Sequence, residues 1–231
     1  MMKKLSGGLL LLAALALAAS PALAAEKAAD PRTKNVAVVV QLGTLGLSGG
    51  IVASLGSQVN IRVAGSGVAL TRDATVSDIK YDFDINLYTA GLFLDWHPGG
   101  AGFRVSLGII ANNNKFEADA TPSATSTYTL GGVTYPGAAL GKLHADADMN
   151  PVAPYFGIGY GNALSSDGRW QFQFDLGVMY WGSPDVTLTS SNSNLAPGLQ
   201  DSLNAEAKKV EDDLDMVTFY PVLMIGVSYA F

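Results

Sequence analysis

Along most of the chain, large apolar residues return at every second position. The clearest run is WQFQFDLGVMY, residues 170–180. Trp170, Phe172, Phe174, Leu176, Val178 and Tyr180 fall on one face, and Gln171, Gln173, Asp175, Gly177 and Met179 on the other. A period of two belongs to a β-strand whose faces meet different surroundings. The same pattern predicts strands over Leu45–Leu55, Val59–Leu70, Ile79–Trp96, Phe103–Glu117, Met149–Tyr160, Trp170–Leu188 and Phe219–Phe231. A soluble sandwich also alternates, but it has little reason to place an aromatic at both ends of the apolar face. A membrane-spanning barrel does, because aromatic rings favour the two water–lipid interfaces. Eleven residues is also about the length at which a tilted strand crosses a bilayer.

The connections alternate in length. Gly56–Gln58, Pro98–Gly102 and Leu164–Gly168 are short, whereas 71–78, 118–148 and 189–217 are longer. Transmembrane barrels have tight periplasmic turns and long outer loops. On that scheme Phe231 lies on the periplasmic side. Pairing Trp96 with Phe103 puts Leu94 opposite Val105, Leu92 opposite Leu107 and Asp95 opposite Arg104. Pairing Tyr160 with Trp170 puts Ile158 opposite Phe172 and Phe156 opposite Phe174. Both hairpins then carry aromatics at the turn and apolar residues above it, the cross-strand pairs that stabilise a sheet. Trp96, Phe103, Tyr160, Trp170 and Tyr180 form the predicted aromatic girdle.

The alternation slips twice. In IKYDFDINLYTAGLFLDW the bulky set is Ile79, Tyr81, Phe83, Ile85 and Leu87, then Ala90, Leu92, Leu94 and Trp96. A bulge near Tyr88–Gly91 would restore the phase. In VAVVVQLGTLGLSGG, Val36, Val38, Val40 and Leu42 give way to Leu45, Leu47 and Ile51. A break at Gly43-Thr44 makes Asn35–Leu42 a separate first strand and brings the count from seven to eight. One long bulged strand over 35–55 is the rival. Bacterial single-chain barrels carry even numbers of strands, so the expected fold is all-β: a closed antiparallel transmembrane barrel of eight strands.

The 231 residues do not all belong to this barrel. MMKK, the apolar LSGGLLLLAALALAA and the small-residue pair Ala22 and Ala24 read as a cleaved signal peptide over 1–25. The apolar run is shorter than the roughly 20 residues of a membrane-spanning helix. A flexible polar lead, 26–35, and the barrel, 36–231, follow. Loss of Lys3 and Lys4 takes the basic count from 14 to 12 against 20 acidic residues, a formal charge of −8. That charge argues against nucleic acid as a partner. With no cysteine there is no disulfide framework, thiolate nucleophile or Cys-based metal site. No cofactor or metal is expected.

The polar face of the strands carries the candidate chemistry. Arg62, Asp95, Arg104, Asp175, Gln171 and Gln173, with Asn60 and Asn112, point into the barrel on the predicted faces. Arg62, Asp95 and Arg104 lie near short turns and should cluster at that end. An eight-stranded barrel is just wide enough for side chains to fill, and buried charges must be paired. A mutually satisfying polar plug is therefore expected, with a selectivity ring as the alternative. His97 is read as solvated beside a turn and His144 as part of an outer loop. No triad spacing links His144 to a serine and a carboxylate. HADAD (144–148) and EDDLD (211–215) are oxygen-rich enough for Ca²⁺ or Mg²⁺ but lack EF-hand spacing, and are read as solvated charges. In LQDSLNAEAKKVEDDL, 199–214, Leu199, Leu203, Ala207, Val210 and Leu214 recur at helical spacing. This predicts a short amphipathic helix within the last outer loop. The earlier loop, rich in small and turn residues, suits a small hairpin.

The leader, the WQFQFDLGVMY alternation and the terminal VSYAF together resemble the small outer-membrane β-barrel superfamily of Gram-negative bacteria. That group includes the outer-membrane protein A transmembrane domain and outer-membrane protein W. The resemblance covers roughly 36–231. It implies that Leu223, Ile225, Val227, Tyr229 and Phe231 form the C-terminal signal read by the barrel-assembly machinery. It also implies outer-membrane lipid and lipopolysaccharide as surroundings; the oligomeric state is left open, with a monomer favoured. No motif of the lipid A-modifying barrel enzymes is present, so no catalytic residue is assigned. The expected role is structural or surface-interacting, with a largely plugged lumen. A narrow porin-like channel and an enzyme acting on outer-membrane lipid are the alternatives.

Overall fold

The computed structural model describes residues 34–76, 79–100, 102–165, 168–192, 197–214 and 218–231. The expected leader, and the polar lead apart from Lys34 and Asn35, lie outside the described residues.

Period-two alternation dominates the chain, and strands dominate the fold. They are β1 (Val36–Gly43), β2 (Gly46–Ser54), β3 (Val59–Val76), β4 (Ile79–Trp96), β5 (Phe103–Asn112), β6 (Lys115–Thr121), β7 (Thr127–Leu130), β8 (Val133–Pro136), β9 (Leu143–Asp148), β10 (Val152–Tyr160), β11 (Trp170–Tyr180), β12 (Asp185–Ser190) and β13 (Phe219–Ala230). Helices α1 (Gly137–Leu140) and α2 (Leu199–Leu214) and a 3-10 turn over Pro98–Gly100 complete the described elements. Around the wall the order is β1, β2, β3, β4, β5, β10, β11, β13, and β13 pairs back onto β1 with Ala230 opposite Ala37. Among the described residues, eight strands thus close an antiparallel barrel with no free edge in its spanning part. The parity slip near residue 43 is the β1–β2 turn: Gly43 pairs with Gly46 across Thr44-Leu45. One long bulged strand over 35–55 is therefore excluded. Gly46 adopts φ 85°, and a Cβ there would lie 2.4 Å from the Gly67 carbonyl oxygen, so the turn requires glycine.

The outward face of this wall is apolar. Val38, Leu47, Ile51, Leu92, Leu107, Ile109, Phe172, Ile225 and Val227 are all exposed on it. Aromatic rings flank the band. Trp96, Phe103, Tyr160 and Trp170 are exposed at the turn end, where Trp170 and Tyr229 sit 5.0 Å apart edge to face. Tyr180 and Phe219 meet at 5.3 Å at the other end.

The second slip has a different cause from the bulge expected at Tyr88–Gly91. β4 pairs without interruption with β3, from Val59–Trp96 to Val76–Ile79, and with β5 and β6 on its other side. What inverts is the environment. Outward positions Tyr88, Ala90, Leu92, Leu94 and Trp96 are apolar, and on the same face further along come Lys80, Asp82, Asp84 and Asn86. Inward, Asp95 gives way to Leu87, Ile85, Phe83, Tyr81 and Ile79. The strand leaves the apolar band near Tyr88. Beyond it, the outer face meets water and the inner face is covered by protein.

That outer part is a half-wall. β6 continues β5, β9 leads into β10 and β12 follows β11, so that β3, β4, β6, β9 and β12 form one sheet above the barrel. The expected link over 71–78 is corrected accordingly, since 71–76 are strand. Among the described residues the register changes once, where β9–β10 faces β11–β12. Tyr155 pairs with Met179 but Asp148 with Asp185, seven residues on one chain against six on the other. The extra residue is on the β9–β10 side, between Asp148 and Tyr155, where Pro151 interrupts the strand; the facing stretch carries Gly182, at φ 76°, and Pro184. A lid covers the concave side of the half-wall. Hairpin β7–β8 and helices α1 and α2 join in an apolar cluster of Leu140, Leu199 and Leu203 with Tyr128, Leu130, Tyr135, Leu143 and Leu188. Tyr135 and Ser202 hydroxyls meet at 2.8 Å, the Gly131 amide donates to Glu206 at 3.0 Å and the Val186 amide to Glu211 at 2.9 Å. The predicted helix and hairpin are thus both present, and the polar face of α2 ties it to its neighbours.

Candidate functional site

Each barrel strand sends every second residue into the lumen, and parity decides which polar groups meet there. Arg62 (β3) donates to Asp95 (β4) through Nε at 2.8 Å and Nη2 at 3.1 Å. Its Nη2 also lies 3.5 Å from Asp175 (β11). Arg104 (β5) donates from Nη2 to Asp175 at 2.6 Å, and from Nη1 to Gln173 and to the Gly161 carbonyl, both at 2.6 Å. Gln41 (β1) donates to the other oxygen of Asp175 at 2.5 Å, and Ser106 to Asp95 at 2.5 Å. Gln173 passes the chain on to Ser228 (β13) at 2.9 Å. Six of the eight wall strands contribute, and the four charges balance. The charged side chains are 3–7% exposed. Paired, hydrogen-bonded ions are the form in which charge is tolerated at such depth.

An aromatic layer lies against the cluster. Phe93 carries the Arg62 guanidinium 4.5 Å above its ring and meets Tyr155 edge to face at 5.3 Å. Glycines make the room: a Cβ on Gly91 or Gly108 would lie 2.4 Å from Phe93, and one on Gly177 2.5 Å from the Tyr155 hydroxyl. Further toward the outside, Leu45, Ile110, Met179, Trp181, Val222 and Met224 form an apolar core with Phe116 and Tyr220. The space left beside the cluster, lined among others by Gln41, Arg62, Ser66, Thr89 and Asp175, is about 30 Å³. That is room for a water or two.

Arg62, Asp95, Arg104, Asp175 and Gln173 are therefore brought together. Gln171 is not part of the cluster by its side chain; its carbonyl lies 3.5 Å from the Ser228 hydroxyl. Two expected hairpin registers are corrected. Trp96 pairs with Val105, Leu94 with Leu107 and Asp95 with Ser106, a shift of two. Tyr160 pairs with Phe174 and Ile158 with Leu176, a shift of four. The turns are wider than a tight hairpin, and even shifts keep every side chain on its face. The consequence is chemical: Asp95 binds Arg62 and Ser106, while Arg104 turns to Asp175. His97 is corrected from solvated to buried, 2% exposed with Nε2 3.2 Å from Asn60 Nδ2. Gln41, Ser106, Ser228, Phe93 and Tyr155 do not stand out in the sequence. Their inward parity is the available signal, and Gln41 is the lone polar residue in VAVVVQLG.

His144 lies on strand β9, correcting the loop expectation. HADAD alternates, so His144, Asp146 and Asp148 share the outer face of the half-wall. The ring nitrogens of His144 sit 2.7 Å from Asp119 and 3.0 Å from Asp146. The Asp119 hydrogen bond, aided by the charges of Asp146, Asp119 and Glu117, outweighs partial burial and raises its pKa above the ordinary 6.5. A raised folded-state pKa stabilises the fold at pH values below the unfolded value. That contribution is lost as pH rises through the folded value. An NMR titration of the His144 ring should show a midpoint above 6.5, and Asp119→Asn should bring it down. An unshifted midpoint would contradict the bridge. Among the described residues, no group of three His, Cys, Asp or Glu is arranged to hold a metal ion.

The closed eight-stranded wall, its apolar outer band and its polar interior define a small outer-membrane β-barrel, and the chain has that fold. Two crystal structures from Acinetobacter baumannii match it: CarO2, with TM-score 0.58, 23% identity and 86% of this chain against 99% of that one, and CarO, with TM-score 0.56, 24% identity and 85% against 98%. A major outer membrane protein from Thermus thermophilus matches at TM-score 0.44 and 12% identity, over 85% of this chain and 99% of that one. No family model and no curated protein matches the chain.

Proposed function

We propose that the protein is an outer-membrane barrel closed by its own lumen cluster, which acts through its outer half-wall and lid. The observation that carries this reading is the Arg62–Asp95–Arg104–Asp175 network, which with Gln41, Gln173 and Ser228 ties six wall strands together and leaves room beside it for a water or two. Opening a path would mean separating buried ion pairs, which costs several kcal/mol. The turn end faces the periplasm, the half-wall faces outward, and lipid and lipopolysaccharide surround the apolar band. Leu223, Ile225, Val227, Tyr229 and Phe231, on one face of the closing strand, serve as the signal for the assembly machinery. A monomer suffices, because the barrel closes without a partner. The site gives no support to an enzyme: both nitrogens of His144 are engaged by carboxylates rather than by a nucleophile.

Planar-bilayer recording tests the closed lumen. The purified protein should show no steady conductance, and Arg104→Ala should raise the frequency of openings. Steady conductance of the native protein that changes on neutralising Arg62 or Arg104 would replace the plug with a selectivity ring.

A further inference from the structure

The half-wall and its lid do not meet everywhere. Between them lies a cavity of about 420 Å³, within the roughly 300–1,000 Å³ of small-molecule pockets. Its floor is the inner face of β4, where Tyr81 and Phe83 stack with ring centroids 5.7 Å apart and planes 12° from parallel. Phe83 faces inward yet remains 38% exposed. The opening arises from small residues on the neighbouring strands. Ala118 pairs with Phe83 on one side and Ala145 on the other, and Ala120 pairs with Tyr81. The roof is Tyr128 and Leu130 of the hairpin with Leu203 and Val210 of α2. Only Thr129 and His144 among the lining residues carry strongly polar side chains, and His144 is bound to carboxylates of the outer face. Water finds few partners in such a space.

The geometry points to a binding site for a small, uncharged aromatic molecule, lying flat against Tyr81 and Phe83 beneath the lid. Offset stacking on two near-parallel rings favours a flat aromatic ligand over a branched aliphatic one. Desolvation also selects against charge. The water-facing side of the half-wall presents Asp82, Asp84, Glu117, Asp119, Asp146 and Asp148 with Lys80 and Lys115, and Arg72 lies opposite Phe83 on the inner face. An anion would lose its hydration among carbon atoms. The proposal deepens the reading that the outer part does the binding, but it is independent of whether the lumen is closed.

Methyl-labelled full-length protein in lipid nanodiscs, titrated with 2-naphthol and separately with 2-naphthoate, tests this. Saturable shifts at Ala118, Ala145, Leu130 and Leu203 are expected with 2-naphthol, and binding about tenfold weaker or less with the carboxylate. Ala118→Phe fills the cavity and should abolish the shifts while leaving conductance as in the native protein. Ala145→Leu carries the same test if Ala118→Phe fails to give a heat-modifiable barrel. Non-saturable shifts spread over the lipid-facing methyls of Leu92, Leu107 and Ile109, or unchanged affinity in the filled variants, would overturn the site. Steady conductance with intact binding would instead remove only the closed lumen.

Discussion

Replacing Asp175 with alanine is expected to lower the unfolding free energy by about 3–5 kcal/mol, the cost of leaving buried charge without its partner. No other carboxylate in the lumen serves as many groups. It accepts from Arg104 at 2.6 Å and Gln41 at 2.5 Å, and lies 3.5 Å from Arg62. Its loss leaves a net positive charge among side chains that are 3–7% exposed. Asp175→Asn keeps the volume and one acceptor, so it should fall between alanine and native. Asp95→Ala should cost less, because Arg62 keeps Asp175 within reach. Replacing Arg104 and Asp175 together with Met and Leu should recover much of the loss, since a well-packed apolar pair is often no worse than a buried ion pair. Reversible urea unfolding in liposomes, followed by tryptophan fluorescence, gives the ordering. A loss below about 1 kcal/mol for Asp175→Ala, the scale of an exposed pair, would mean that water already reaches the cluster.

The strands, the barrel and the polar lumen are legible in the sequence because parity is a robust signal: an even error in register leaves each side chain on its face. Arg62, Asp95, Arg104 and Asp175 fall together for that reason, although both expected hairpin registers differ from the observed ones. Who binds whom is not legible. Arg104 and Asp175 flank Gly159 of β10 from its two sides, so the guanidinium lies over that glycine and reaches its partner one strand further along the wall, a row fixed by the observed registers rather than by those the short turns suggest. The apparent bulge at Tyr88–Gly91 misleads for a related reason. Periodicity reports a change in which face is apolar, and either an inserted residue or a change of solvent can produce it. In the stretch from Ile79 to Leu87 the face flips because lipid ends. The true bulge, one extra residue between Asp148 and Tyr155 facing Met179–Asp185, gives no parity slip that the sequence shows, its signal reduced to Pro151 and, on the facing strand, Gly182 and Pro184. His97 precedes a short turn and so looks solvated, but the fold buries it beside Asn60.

The solvent change along β4 also predicts opposite outcomes for two substitutions on one face of one strand. Leu92 lies opposite Val63 and Ile109 in the middle of the apolar band. Leu92→Arg should cost about 2–4 kcal/mol, the range for a cation near the bilayer midplane. Asp82 lies ten residues away on the same face, opposite Asp73 and Asp119. Like charges in direct cross-strand pairs destabilise a sheet by a few tenths to about 1 kcal/mol. Asp82→Lys should therefore be neutral or stabilising, most clearly at low ionic strength, where screening is weakest. Unfolding from liposomes at two salt concentrations separates the cases, because the Leu92→Arg penalty is one of desolvation and should hardly respond to salt. If instead a bulge placed Asp82 on the inner face, Asp82→Lys would put a charge under the lid and destabilise the half-wall. The sign of that one substitution thus decides between a change of solvent and a change of register.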